Sequence, residues 1–168
     1  MLSQAQIQRV WEGMLLAEMR ALYFADLATQ YNARQRHATW TTLVASSAAF
    51  ASIIAHVPPE YGWIRVAATF FTAVLSGYSL AMQVQRRAVE ASDLHYRWNQ
   101  VGREYSAIWE NVEASDAFER LQKADTAVAE LSKVSLQLPY RKSLMEKWQR
   151  HVEAEWKQRN ALGQHAAA

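Results

Sequence analysis

Between Arg36 and Arg86 the chain has two stretches free of Asp, Glu, Lys and Arg, Ala38 to Val57 and Val66 to Gln85, joined by Pro58-Pro59-Glu60-Tyr61-Gly62. Each is about 20 residues long, and a helix rising roughly 1.5 Å per residue would span the roughly 30 Å hydrocarbon layer of a bilayer. Lipid offers the backbone no hydrogen-bond partner, so both stretches must be helical there, and two consecutive prolines fit only where the chain turns at the far interface. The pattern predicts a membrane hairpin. Trp40 near one end and Tyr61 with Trp63 at the turn suit anchoring at headgroup depth. Arg34 and Arg36 precede the first stretch and Arg86 and Arg87 follow the second, whereas the turn offers Arg65 opposed by Glu60. This asymmetry predicts both termini in the cytoplasm. The competing reading is a hairpin buried in a soluble bundle, because the stretches are rich in Ala, Ser and Thr rather than Leu.

The remainder reads as helix. No proline interrupts residues 3 to 37, Ser3 suits a helix N-cap, and Ile7, Val10, Trp11, Met14, Leu15, Met19, Leu22, Phe24, Leu27 and Tyr31 recur mostly at three- and four-residue spacing. That helix is expected to run unbroken into the first span. The second span is expected to continue through Leu94, Trp98, Val101, Tyr105, Ile108 and Val112, a seam for a packing partner. Asp116 with Glu119 resembles a capping box opening a helix to about Ser132, and Leu138-Pro139 marks a further boundary before a helix carrying Leu144, Met145, Trp148, Val152 and Trp156. The expected fold class is all-α, a membrane hairpin with long cytoplasmic extensions forming a bundle, assembled as a homo-oligomer. Its parts are an amphipathic helix over 1–37, spans over 38–57 and 66–85, an extracytoplasmic turn over 58–65, a cytoplasmic helical region over 86–162 and a disordered tail over 163–168.

Composition narrows the chemistry. A net charge of +2 is too small for coating a nucleic-acid duplex, and the absence of cysteine removes disulfides, thiolate catalysis and thiol-ligated zinc. The polar start Met1-Leu2-Ser3-Gln4 predicts no cleavable signal peptide, so the first span would direct insertion. His151 with Glu155 and Asp93 with His95 lack a third partner at metal or relay spacing and read as surface pairs, and no phosphate-cradling glycine loop exists. No enzyme activity and no cofactor are expected.

The second span carries Thr69, Thr72, Ser76, Ser79 and Gln83 on one narrow face, with a shorter counterpart in Thr39, Thr42 and Ser46. Such a stripe is costly against lipid tails and should face another helix or water. Ala45 and Ala49 in the first span, and Ala73, Gly77 and Ala81 in the second, would let helices approach closely. Two spans cannot enclose a pore, but several copies could line one with the hydroxyl stripe. The bland reading is that the hydroxyls bond back to carbonyls one turn earlier. The aromatic residues of the cytoplasmic helices, including Trp98, Tyr105, Trp109, Trp148 and Trp156, are expected to fill a bundle core, with a second reading in which some stack on a ligand beside Arg97 or Arg103.

Tyr23-Phe24, Tyr31-Asn32-Ala33-Arg34, the small-residue hairpin, Arg86-Arg87, His95-Tyr96-Arg97-Trp98 and Tyr105 through Trp109 together resemble the SLATT-type two-transmembrane effectors over roughly residues 15 to 135. The resemblance implies a pore-forming effector of a bacterial antiphage system, permeabilising the inner membrane on a nucleotide or protein cue. Partners would be the bilayer, further copies of the chain, and a nucleotide second messenger or a partner linked to its synthase. Arg86, Arg87, Arg97, Trp98 and Arg103 are the candidates for ligand binding or gating. A non-conducting anchor or scaffold and a soluble interaction bundle are the alternatives.

Overall fold

The computed structural model describes residues 2–45, 47, 55, 56, 58–82 and 84–166, and among these every regular element is helical. Helix α1 is Gln4–Ala45, a 3₁₀ turn follows at Pro59–Tyr61, and then come α2 (Gly62–Met82), α3 (Val84–Glu110), α4 (Ala117–Ser135) and α5 (Lys142–Ala166). The all-α expectation is met. The chain divides into two compact units, Met1–Leu27 with Glu90–Ala168, and Ala28–Val89.

In the first unit, α1 opens with a reciprocal cap: the Gln6 backbone N–H donates to Ser3 Oγ at 3.3 Å and the Ser3 N–H donates to Gln6 Oε1 at 2.7 Å. Two orphan N–H groups are satisfied at the start of a helix. The core contains Val10, Met14, Phe24 and Leu27 of α1, then Leu94, Trp98, Val101, Tyr105 and Ile108 of α3, Leu121 and Leu131 of α4, and Leu144, Met145 and Val152 of α5. Of the seam expected along α3, all but Val112 is buried. Ala17 and Ala21 are buried as well, and Gly102 lies against Ala17, so small side chains set a close approach of α1 and α3.

Two local expectations need correction. Asp116 does start α4, but its backbone is helical (φ −92°, ψ −2°) rather than extended and its side chain makes no cap hydrogen bond. The expected capping box is absent because Glu119 pairs with Lys123 at 2.9 Å instead. Helix α4 runs to Ser135, past Ser132, and its C-terminal carbonyls of Lys133 and Val134 accept from Leu136 and Gln137. Pro139 marks the boundary before α5, which begins three residues later. Helix α5 extends through Gly163, where the sequence places a tail.

In the second unit, α2 leaves Trp63, Val66, Phe70, Phe71 and Val74 each at least half exposed, and Trp40, Leu43 and Val44 near the end of α1 are similarly open. Ala28, Tyr31 and Ala88 are buried. Among the described residues no helix is long and apolar enough to cross a membrane. Arg65 sits in the first turn of α2, and most of the expected first span beyond Ala45 lies outside the described residues.

Gly13 tests the closeness of this packing. A Cβ there would stand 2.5 Å from Cζ of Tyr105, a ring buried to 2 % exposure. Gly13→Ala should therefore cost about 1–2 kcal/mol, overpacking outweighing the helix-propensity gain. Gly102→Ala, with only an ordinary 3.6 Å contact to Ala17, should be neutral or slightly stabilising. Urea-unfolding midpoints followed by tryptophan fluorescence separate the two.

Candidate functional site

Helices α3 and α4 of the first unit border a groove of about 810 Å³ whose rim carries Arg97, Arg103, Arg120 and Lys123 together with Glu104 and Glu130. Arg97 and Arg103, named from the sequence as alternatives, both line this groove, and α4 adds two cations that the sequence reading did not name. Most are committed locally: Arg97 pairs with Asp93 at 2.9 Å, Arg120 with Glu104 at 3.4 Å and Lys123 with Glu119 at 2.9 Å. Hydrogen bonding to Lys123, then its charge, lowers the Glu119 pKa, and the same bond followed by the Glu119 charge raises that of Lys123. Exposed pairs of this kind hold weakly and can exchange for an incoming anion. Trp98, expected beside them as a stacking platform, is 1 % exposed in the core, with its indole N–H buried and unpartnered. Arg86 and Arg87 open α3 within the second unit.

The hydroxyl stripe is described in part. Thr69 is exposed on α2; the side chains of Thr72, Ser76 and Ser79 and the whole of Gln83 lie outside the described residues. On the first span, Thr42 donates to the Ala38 carbonyl at 2.9 Å, as Thr41 does to His37. Ser46 and Ala49 lie outside the described residues, and Ala45 is the last residue of α1. Ala73 is exposed and Gly77 has open space where a Cβ would stand. The side chain of Ala81 is not described.

The two histidines singled out from the sequence make contacts within the first unit. His95 Nδ1 lies 2.8 Å from the Ala21 carbonyl, so that nitrogen carries the proton, while Nε2 accepts from the Asn99 amide at 3.1 Å. His151 Nε2 stands 3.7 Å from Glu155 and packs edge-on against Trp148. No cluster of His, Asp and Glu able to hold a metal occurs among the described residues.

Three bridges could not be named from sequence. The Tyr105 hydroxyl donates to Asp125 Oδ1 at 2.7 Å, and Arg9 pairs with Asp125 Oδ2 at 2.8 Å, joining α3, α4 and α1. Trp148 Nε1 and Lys147 Nζ both donate to Asp26 Oδ2, at 3.2 and 2.8 Å. Trp156 Nε1 donates to Glu18 Oε2 at 3.0 Å and stacks edge-on against Trp11 at 4.6 Å, with Trp109 at 5.4 Å from Trp11. Trp148 and Trp156 are therefore amphipathic ties at the core edge, and Trp109 is 41 % exposed, while Tyr105 belongs to the core as expected.

Burial, then hydrogen bonding to Asp125 and its charge, raise the Tyr105 pKa above the ordinary 10.0, against a smaller opposing effect of Arg9. The folded chain holds this proton more tightly than the unfolded chain. Stability from Tyr105 is therefore level below about pH 9 and falls above pH 10 by up to about 1.4 kcal/mol per pH unit. Tyr105→Phe should cost about 1–2 kcal/mol at neutral pH and narrow or reverse that deficit at pH 11, measured as urea midpoints from pH 8 to 11. No known protein family, curated protein or solved structure matches the chain.

Proposed function

We propose that the protein is a membrane effector whose residues 38–57 and 66–85 insert as a hairpin, assemble with further copies and open an aqueous path when a signal engages the helical bundle. The observation that carries this reading is the apolar surface of α2, where Val66, Phe70, Phe71 and Val74 stand open beside Trp63. Burying one such side chain contributes about 1.5–3 kcal/mol, so a contiguous group of them favours lipid or another copy over water. Tyr61 just before α2 and Trp63 in its first turn supply amphipathic rings suited to an interface. The resemblance to SLATT-type effectors supports the same assignment, including an antiphage role and a nucleotide or protein cue. In it Thr69, Thr72, Ser76, Ser79 and Gln83 line the path, and a cue acts only by binding the open arrangement more tightly than the closed one. The α3–α4 groove, with Arg97 and Arg103, is the natural receptor for an anionic cue.

A second reading, a non-conducting anchor or scaffold, is favoured by Thr41 and Thr42, whose hydroxyls are satisfied by carbonyls of their own helix. Such hydroxyls need no water.

Expressed in bacteria, the chain should remain in the membrane pellet after carbonate extraction. Val74→Asp, placing a charge near mid-span at about 2.5–3.5 kcal/mol, should release most of it. Release of the unaltered chain would end the membrane reading. Reconstituted in liposomes, triggered chain should leak a small dye and Ser76→Leu should slow that leak. Insertion without leakage under every trigger would favour the scaffold.

A further inference from the structure

A second, separate cavity in the first unit also offers cations to a ligand. A mostly apolar cavity of about 600 Å³ opens between α1 and the α4–α5 connection, within the size range of small-molecule sites. Tyr23 and Phe24, at 3 % and 1 % exposure, are fixed walls. The Tyr23 hydroxyl donates to the Pro139 carbonyl at 3.4 Å and accepts the Arg141 N–H at 3.1 Å, which pins the connection and holds Tyr140 at the rim. Leu136 and Tyr140 are 86 % and 65 % exposed there.

Two cations, Arg20 and Lys133, line this cavity, and no acidic side chain does. Neither has an ion-pair partner among the described residues, and Arg20 Nε is buried without any hydrogen bond. An unpaired guanidinium beside an apolar wall is a ready partner for a carboxylate or phosphate. The α3–α4 groove differs in carrying its own carboxylates. Lys133 lies in the last turn of α4, where the helix C-terminus already favours a positive charge, so Arg20 is the principal anchor.

We infer that this cavity binds a small organic anion, its carboxylate or phosphate head on Arg20 with help from Lys133 and its flat apolar body covering Leu136 and Tyr140. Nothing in this assignment requires the membrane reading, and its test measures binding alone.

Calorimetry and ligand-observed NMR on the full chain, with 2-naphthoate, 1-naphthyl phosphate, inorganic phosphate and the neutral 2-naphthylmethanol, decide it. Both naphthyl anions should bind saturably, and the neutral alcohol and inorganic phosphate at least about tenfold more weakly. Arg20→Gln should weaken the anions about tenfold or more, Lys133→Gln and Tyr140→Ala by several-fold, and Arg103→Gln in the other groove not at all. Equal binding of the neutral alcohol, equal binding of inorganic phosphate, absence of saturation, or indifference to Arg20→Gln would each overturn the assignment. Far-ultraviolet circular dichroism checks folding. Should Arg20→Gln fail to fold, the exposed Lys133→Gln and Tyr140→Ala decide, and unchanged affinity in both would equally overturn it.

Discussion

The first unit depends on the N-terminal part of α1 being held by every other helix of that unit. Helix α3 reaches it through His95 on the Ala21 carbonyl and the close passage of Gly102 over Ala17; α4 through Asp125 on Arg9; α5 through Trp148 and Trp156 on Asp26 and Glu18. None of these contacts is local, so none can stabilise α1 before the others arrive. The apolar interior supplies most of the driving force, and the polar ties at its edge select one register among the rotations that a greasy helix face would otherwise allow. Trp148 and Trp156 suit this purpose because each buries a large ring while its single N–H demands one acceptor.

The two units distribute apolar surface oppositely. In the first, Trp98, Tyr105 and Phe24 are enclosed. In the second, large apolar side chains of α2 stand in the open, and among the described residues Ala28, Tyr31 and Ala88 are buried. The open side chains of α2 are why the functional reading centres on residues 38–85.

Much of this was legible in the residue pattern. The spacing of Leu94 through Ile108 gave the buried face of α3 because each step returns to one side of a helix, and Ser3 announced the start of α1 because its hydroxyl can take an orphan N–H. Other features were hidden for identifiable reasons. Ala17 and Ala21 carry no strong hydropathy signal, yet their small size sets an interhelical distance. Asp116 and Glu119 have capping-box spacing, but spacing does not reveal that Lys123 competes for the glutamate. Trp148 and Trp156 looked like core residues, and their carboxylate partners lie more than a hundred positions away. Arg20 stood unremarked inside an amphipathic pattern, since only the placement of the α4–α5 connection leaves its guanidinium without an acid.

Six of the seven tryptophans fall into two optical populations, with Trp109, at 41 % exposure, between them. Trp98 is sealed from water and Trp11, Trp148 and Trp156 are half covered, whereas Trp40 and Trp63, both in the second unit, are 63 % and 69 % exposed. Indole emission shifts toward the blue as water is withdrawn, so the red edge of the intrinsic spectrum belongs largely to the second pair. The native chain thus carries an unlabelled gauge of whatever comes to surround that pair, readable while the enclosed indoles hold the other edge of the band steady.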